Sequence, residues 1–399
     1  MSAVLSLVRS LGKCAPLRTL AALVGVFALA ACEPVAFTQA EPTGPRVDPG
    51  TPVQVALLVP SGSGQSGDRV LAESLENAAR LAVADLTGVT IDLRVYSTAG
   101  NPAQAAQAAT RAVNEGAQII LGPVFGREAR PVGAAVAGQG INVLSFSNDV
   151  TVAGGNVFVL GLTFENTAQR LLRYAAREGR GQVMVVAERN AAGSAAIEAA
   201  RNAVAGTGAS IAAVETFEFS QQGVVAALPR ISETARASGA QSLLFSSDTA
   251  GALPLLAQLL PDNRVGPDQF QYMGLTRWDI PPASLELSGL QGGWFVKPDP
   301  GLTAQFENRY RARYGSGPHP IAGLAYDGIA AVGALVSGRR GDPLSRASLT
   351  QGSGFAGVNG VFRLLPNGRN QRALAIATIR DNQVVILDRA PRSFPGVGF

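Results

Sequence analysis

Cysteine is almost missing from this chain: in 399 residues only Cys14 and Cys32 carry a thiol, and both lie near the N-terminus. Everything after Cys32 therefore has no disulfide and no thiolate to serve as nucleophile or metal ligand. Histidine is scarcer still. The single histidine, His319, stands between Pro318 and Pro320. A histidine-dependent triad would rest on that one loop residue, and no zinc site with several His or Cys ligands can be assembled. Charge is sparse as well, at 16% of residues, and the net charge of +4 falls to about +1 once Arg9, Lys13 and Arg18 are set aside as signal residues. Nucleic-acid binding has no electrostatic support at that charge. Beyond residue 31 there is also no apolar run of the roughly twenty residues that a membrane-spanning helix needs. These absences exclude enzyme, metal and cofactor chemistry of the usual kinds, and no cofactor is expected.

The N-terminus does carry a signal. Met1 to Ala31 holds three basic residues and no acidic one, and runs into an apolar stretch from Leu20 to Ala31. This is the pattern of a secretory signal peptide, too short to be a membrane span. It ends Leu29-Ala30-Ala31-Cys32, small residues before a cysteine as in a bacterial lipobox, so Cys32 is the expected lipidation site and new N-terminus. Residues 32–52 are rich in Pro, Gly and charge and read as a flexible tether. The expected location is the periplasm, lipid-anchored, with the lipid as the only membrane contact. Glu33 replaces the aspartate that marks inner-membrane retention in enterobacteria and points to the outer membrane.

From Val53 onward, short apolar runs alternate with longer amphipathic ones. Strand signals at Val53–Val59, Ile91–Tyr96, Ile119–Leu121, Asn142–Ser145 and Val157–Leu160 are interleaved with helical patterns at Asp68–Leu86, Pro102–Glu115 and Arg127–Ala137. A second series follows, with strands Val183–Ala187, Ile211–Phe217, Ser242–Phe245 and Phe270–Met273 between helical patterns from Glu165 to Leu260. Alternation of this kind predicts an α/β protein of two lobes, each a mostly parallel sheet flanked by helices. The expected division is 53–162 with 298–343 for the first lobe and 163–297 with 344–399 for the second. The chain would then cross between lobes three times, near Leu162, Pro298 and Pro343.

This organisation resembles the type I periplasmic binding protein fold. Ligands of α/β sheets sit at the carboxyl ends of strands, where helix N-termini are free to meet them. That rule selects Ser61, Phe125, Ser147, Asn148 and Asp149 on the first lobe, facing Arg189, Asn190, Asp248, Arg277 and Trp278 on the second, as candidates to hold a small molecule in the interlobe cleft. For Trp278, packing at the hinge is as plausible as stacking on a ligand. A G-x-G-x-x-G at Gly62–Gly67 follows a strand, but the next strand ends Tyr96-Ser97 with no acid for a ribose, so it reads as a loop at the cleft rim. Trp294 reads as core, and Arg309, Arg311 and Arg313 as one face of an amphipathic helix.

A narrower resemblance is carried by LGPVFGREARPV (121–132), VLSFSNDVTVAGG (143–155), YMGLTRWD (272–279), LQGGWFVKPDP (290–300), FENRYRARYGSGP (306–318), LAYDG (324–328) and FAGVNGVFRLLPNG (355–368). Together these segments look like the penicillin-binding protein activator family. The resemblance implies a regulator or scaffold of peptidoglycan synthesis whose partner is a class A penicillin-binding protein. The alternative is a solute-binding receptor of an ABC importer for amino acids or related small molecules. Such receptors typically place an aromatic and an acidic residue in the second lobe, where this chain has Ala192 and Gln221. A buried ammonium without a carboxylate is strongly disfavoured, so leucine, isoleucine and valine are expected to bind weakly or not at all, unless Asp149 or Asp248 supplies the carboxylate.

Overall fold

The computed structural model describes residues 45–48, 50–338 and 341–394. The signal segment 1–31, Cys32 and the first part of the tether lie outside the described residues.

Two large sheets organise the body. The first is built from β1 (Val53–Val59), β2 (Ile91–Ser97), β3 (Ile119–Leu121), β4 (Val143–Ser145) and β5 (Val157–Val159), in the spatial order β2-β1-β3-β4-β5 and parallel throughout. Parallel strands need crossovers, supplied here by α1 (Ser66–Asp85), α2 (Pro102–Asn114) and α3 (Gly126–Val136). The second sheet begins with β6 (Gln182–Glu188), β7 (Ser210–Phe217), β8 (Ser242–Phe245), β9 (Gln271–Gly274) and β10 (Trp294–Lys297), again parallel and in the order β7-β6-β8-β9-β10. Helices α4 (Phe164–Arg177), α5 (Ala191–Val204), α6 (Gln221–Ala237) and α7 (Leu253–Asp262) accompany it. Both sheets therefore repeat one winding pattern, each with a reversal of strand order beside its first strand.

Burial follows from strand alternation. Val55, Leu57 and Val59 face one core while Ala56 and Leu58 face another, and all are buried, as a parallel sheet covered on both faces requires. In the second sheet Met184 and Val186 face one core and Val183, Val185 and Ala187 the other. The type I binding-protein architecture expected from the sequence, two α/β lobes of mostly parallel sheets flanked by helices, is the one observed.

The C-terminal third departs from simple alternation. Helices α8 (Pro300–Tyr314), α9 (Gly323–Ser337) and α10 (Arg346–Leu349) lead into a small antiparallel sheet of β11 (Phe355–Gly357), β12 (Gly360–Leu364) and β13 (Asn370–Arg372). The chain then joins the second sheet as β14 (Ala375–Arg380), antiparallel to β10, and β15 (Gln383–Asp388), antiparallel to β14. Leu344, Leu349, Phe355, Phe362 and Leu364 pack in the core shared with β1, α1 and α9, on the first lobe's side. We therefore propose the third crossing at 372–375 instead of near Pro343.

The crossing segments are tied together by polar side chains. Asn370 Nδ2 donates to the carbonyls of Val159 (2.7 Å) and Gly161 (2.9 Å), and Arg372 donates to the carbonyl of Leu160. Arg372 also pairs at 3.0 Å with Asp327, whose carboxylate accepts from the Val358 N–H and the Asn359 amide as well. Both side chains are buried, at 4% and 0% exposure. A charge pair removed from water is stable only with its remaining hydrogen bonds made, and here they are made by the hinge itself.

Candidate functional site

The loops after β3 and β4 form a wall of the cleft. The β3 loop must turn sharply at Gly122, where φ is +91° and a Cβ would collide with the Leu58 carbonyl, so only glycine fits. Helix α3 then starts at Gly126, capped by Phe125 with no side-chain hydrogen bond. No hydrogen bond is made by the N–H groups of Gly126 and Arg127 among the described residues. Such open N–H groups at a helix N-terminus favour an anion.

Beside them the β4 loop is locked by its own side chains. The Ser145 hydroxyl donates to the Pro123 carbonyl and accepts from the Ser147 N–H, and the Ser147 hydroxyl accepts from the Asp149 N–H at 3.0 Å. One Asp149 oxygen caps the next turn by accepting from the Thr151 N–H at 2.9 Å. The carboxylate is exposed and has no salt-bridge partner among the described residues. Phe125, Ser147, Asn148 and Asp149 thus line one cavity of about 460 Å³, together with Arg127 and the apolar residues Leu162, Ile321 and Leu324. The Arg127 guanidinium sits 4.4 Å over the Phe125 ring and also pairs with no carboxylate among the described residues.

A smaller cavity of about 150 Å³ continues toward the hinge and shares Leu162, Ile321 and Leu324 with the first. Arg277 lines it, with Ile280, Pro298, Pro320, Asn359 and Arg372. Arg277 is held by two hydrogen bonds to Asp279, at 2.9 and 2.7 Å, and Lys297 approaches the same carboxylate at 2.7 Å. Burial alone would raise the Asp279 carboxyl, but Arg277 and Lys297 outweigh it and hold the group below the usual range. Arg277 is thus already paired. His319, beside this wall, is pushed down by burial, and its Nδ1 accepts from the Ile321 N–H at 3.4 Å, a packing role.

The other candidates stand apart from these cavities. Ser61 accepts from the Ala99 N–H at 3.2 Å through its carbonyl. Arg189 is exposed and pairs with Glu218 at 2.6 Å, Asn190 caps α5 by accepting from the Gly193 N–H, and Asp248 accepts from the Ala250 N–H. None of the four lines either cavity. Trp278 is 0% exposed and stacks on Phe295 at 6.2 Å, in space left by Gly274 and Gly293, where any Cβ would strike the indole. Phe219 is a residue the sequence reading passed over. It is 60% exposed at the end of β7 and lies against Gly251, next to Asp248, so the second lobe does present an aromatic ring. Its signal in the sequence is a large apolar residue directly before the helix cap Ser220.

Glu128, in the first turn of α3, is fully buried and neither carboxylate oxygen closes a hydrogen bond of normal geometry. Burial raises this carboxyl above its usual value, partly offset by the Thr98 hydroxyl and the Phe125 N–H. The folded protein therefore binds this proton more tightly than the unfolded chain, and stability falls as pH rises from the usual carboxylate range through the raised value. Glu128→Gln is expected to stabilise the protein at pH 7 by about 1–3 kcal/mol, with little gain near pH ~3, where the unfolded carboxyl is protonated as well. Thermal unfolding at the two pH values checks this; an equal shift at both would show that the charge is not the cause.

Two lobes, a hinge of tied crossing segments and a cleft wall built from strand-end loops define a ligand-binding protein of the two-lobed type. Residues 52–383 match the family model described as periplasmic binding protein, and the chain belongs to that family. No curated protein matches the chain. Among solved structures it resembles a proposed branched-chain amino-acid ABC transporter protein from Rhodospirillum rubrum, at 18% identity and a TM-score of 0.70, covering 84% of this chain and 100% of that one. It also resembles a branched-chain amino-acid ABC transporter periplasmic ligand-binding protein from Burkholderia xenovorans, at 16% identity and 0.68, covering 85% and 96%. A third is an ABC transporter substrate-binding protein from Desulfitobacterium hafniense in complex with Leu, at 18% identity and 0.63, covering 84% and 100%.

These findings correct the activator reading. Neither the family match nor the similar structures place the chain among penicillin-binding protein activators, and with that the expected role in peptidoglycan synthesis and the class A penicillin-binding protein partner fall away. The physical reason is visible in the segments that carried the likeness. LGPVFGREARPV runs from β3 through α3, YMGLTRWD is β9 with the buried Trp278, and LQGGWFVKPDP is β10 entering the hinge. The last two are scaffold dictated by packing, and the first carries the cleft-wall loop at Phe125–Arg127 that strand ends place in this fold, so the likeness reports the fold. The family is one of binding proteins, and the chain is not an enzyme; among the described residues no group of His, Cys, Asp and Glu is arranged to hold a metal.

Proposed function

We propose that this periplasmic binding-fold protein is the solute-binding component of an ABC importer for amino acids, with the importer's membrane complex as its partner. The observation that carries this reading is Asp149, an exposed carboxylate in the wall of the larger cavity that has no salt bridge among the described residues. It supplies the charge for a ligand ammonium that the second lobe lacks at Ala192 and Gln221. The open N–H groups of Gly126 and Arg127, with the Arg127 guanidinium, suit the ligand carboxylate. Leu162, Ile321 and Leu324 offer apolar surface to its side chain. The similar structures from Burkholderia and Desulfitobacterium, described as amino-acid or substrate receptors, support the same class. Calorimetry on the body from Thr51 onward, with each amino acid in turn, tests it. At least one is expected to bind with micromolar affinity, about 8 kcal/mol, and the same acid lacking its amino group is expected to give no heat. Failure of all amino acids to bind sinks the proposal.

We also propose that Cys32 carries a lipid anchor. Cys32→Ser is expected to move the protein from the membrane to the soluble fraction, because no described helix is long and apolar enough to cross a membrane. A mutant that stays in salt-washed membranes would show another attachment. Fractionating the wild type decides between the outer membrane, to which Glu33 points, and the inner membrane, where an importer resides.

A further inference from the structure

A separate cavity of about 160 Å³ lies between α4, the β12–β13 hairpin and residues 391–394, and shares Arg372 and Leu374 with the hinge cavity. Arg170 and Arg173 of α4, Arg363 of β12 and Arg372 of β13 line it, and no carboxylate does. Two of these charges are matched from behind: Arg170 by Asp388 at 3.0 Å and Arg372 by Asp327 at 3.0 Å. The other two are not. Arg363 donates to the Gln371 side chain at 2.7 Å and the Gly352 carbonyl at 3.3 Å, both neutral, and packs 4.7 Å from the Phe394 ring. The Arg173 side chain makes no hydrogen bond or salt bridge among the described residues, and the side chains of Gln169 and Ser393 in the same wall make no hydrogen bond either.

We propose that this cavity is a binding site for a small oxyanion of the phosphate or carboxylate type. Like charges gathered in a concave site repel unless an anion lies between them, and guanidinium forks match oxyanions geometrically. The cavity, at about 160 Å³, has room for a small oxyanion group. The walls also come from both lobes: α4 packs on the second sheet, while β12 shares the core of the first. An anion held between Arg173 and Arg363 therefore bridges the lobes at the hinge, independently of what the cleft binds.

The test uses inorganic phosphate as probe on the body without any amino acid. Phosphate is expected to raise the melting temperature more than chloride at matched ionic strength, and phosphate titration followed by calorimetry at low salt is expected to give a millimolar dissociation constant. Arg173→Glu, at an exposed side chain whose loss leaves the fold intact, is expected to weaken phosphate by about tenfold or more, and Arg363→Gln likewise. Far-UV circular dichroism verifies that each variant is folded. A phosphate effect no larger than that of chloride, or one that survives in both variants, overturns the proposal.

Discussion

Asp327→Ala is expected to destabilise the protein by about 3–5 kcal/mol, the cost of leaving a buried partner charge uncompensated. The Arg372 guanidinium, 4% exposed, would lose the one carboxylate it pairs with among the described residues, and the Val358 N–H and Asn359 amide would lose their acceptor. The defect falls on the hinge, because Arg372 simultaneously ties its own segment to the Leu160 carbonyl. Denaturant unfolding checks the prediction, with the double variant Asp327→Ala, Arg372→Met as the comparison. Removing both charges is expected to recover a large part of the loss, since the penalty comes from an unpaired charge more than from a lost attraction. A single variant within about 1 kcal/mol of wild type would mean that water reaches the hinge and that the pair is not structural.

The second large effect concerns Asp149. Asp149→Asn is expected to weaken the bound amino acid by about 2–5 kcal/mol, roughly thirtyfold or more, the usual cost of removing one partner of an enclosed charge pair. The asparagine oxygen can still accept from the Thr151 N–H, so the turn and the melting temperature are expected to stay near wild type. Asp149→Ala removes that cap too and is expected to cost about 1 kcal/mol in addition. Calorimetry and thermal unfolding separate the two roles: unchanged affinity with a lower melting temperature would make Asp149 a structural residue only.

What the sequence made legible follows from how local each signal was. Most of the strands β1 to β9 are short apolar runs bounded by turns, β2 and β7 carrying charged residues as well, and the helices between them carry amphipathic stripes, so alternation alone yields two parallel sheets. The small sheet of β11–β13 gives no such signal, since Phe355–Gly357 and Asn370–Arg372 are short, and the second is wholly polar. Its strands exist because Phe355, Phe362 and Leu364 complete a core supplied from elsewhere. That long-range packing is also the ground on which we propose the third crossing at 372–375.

The site divides the same way. Ser147 and Asp149 were readable because strand ends place them, and their loop is held by neighbours two residues away. The second-lobe candidates were not, because Arg189 is engaged by Glu218 after the following strand and Arg277 by Asp279 and Lys297. The pairings of Arg189 with Glu218 and of Lys297 with Asp279, 29 and 18 residues apart, have no periodic signature in a single sequence. Trp278 was open between stacking on a ligand and packing; the glycines that admit it, Gly274 and Gly293, stand on two different strand ends and act together only in the fold.

The most direct test of a solute held between the lobes is an intramolecular distance. Val70 on α1 and Val225 on α6 are 53% and 54% exposed, one beside each lobe's strand ends. The body has no native cysteine, since Cys14 and Cys32 both precede it, so Val70→Cys with Val225→Cys places two spin labels cleanly. A ligand that bridges the lobes shifts the population toward the closed form in proportion to its preference for that form. Pulsed electron–electron resonance is expected to show the distance shortening by several ångströms when the amino acid identified by calorimetry is added, and no shortening when Asp149→Asn is present at the same concentration. A saturating ligand that leaves the distance unchanged would contradict binding between the lobes.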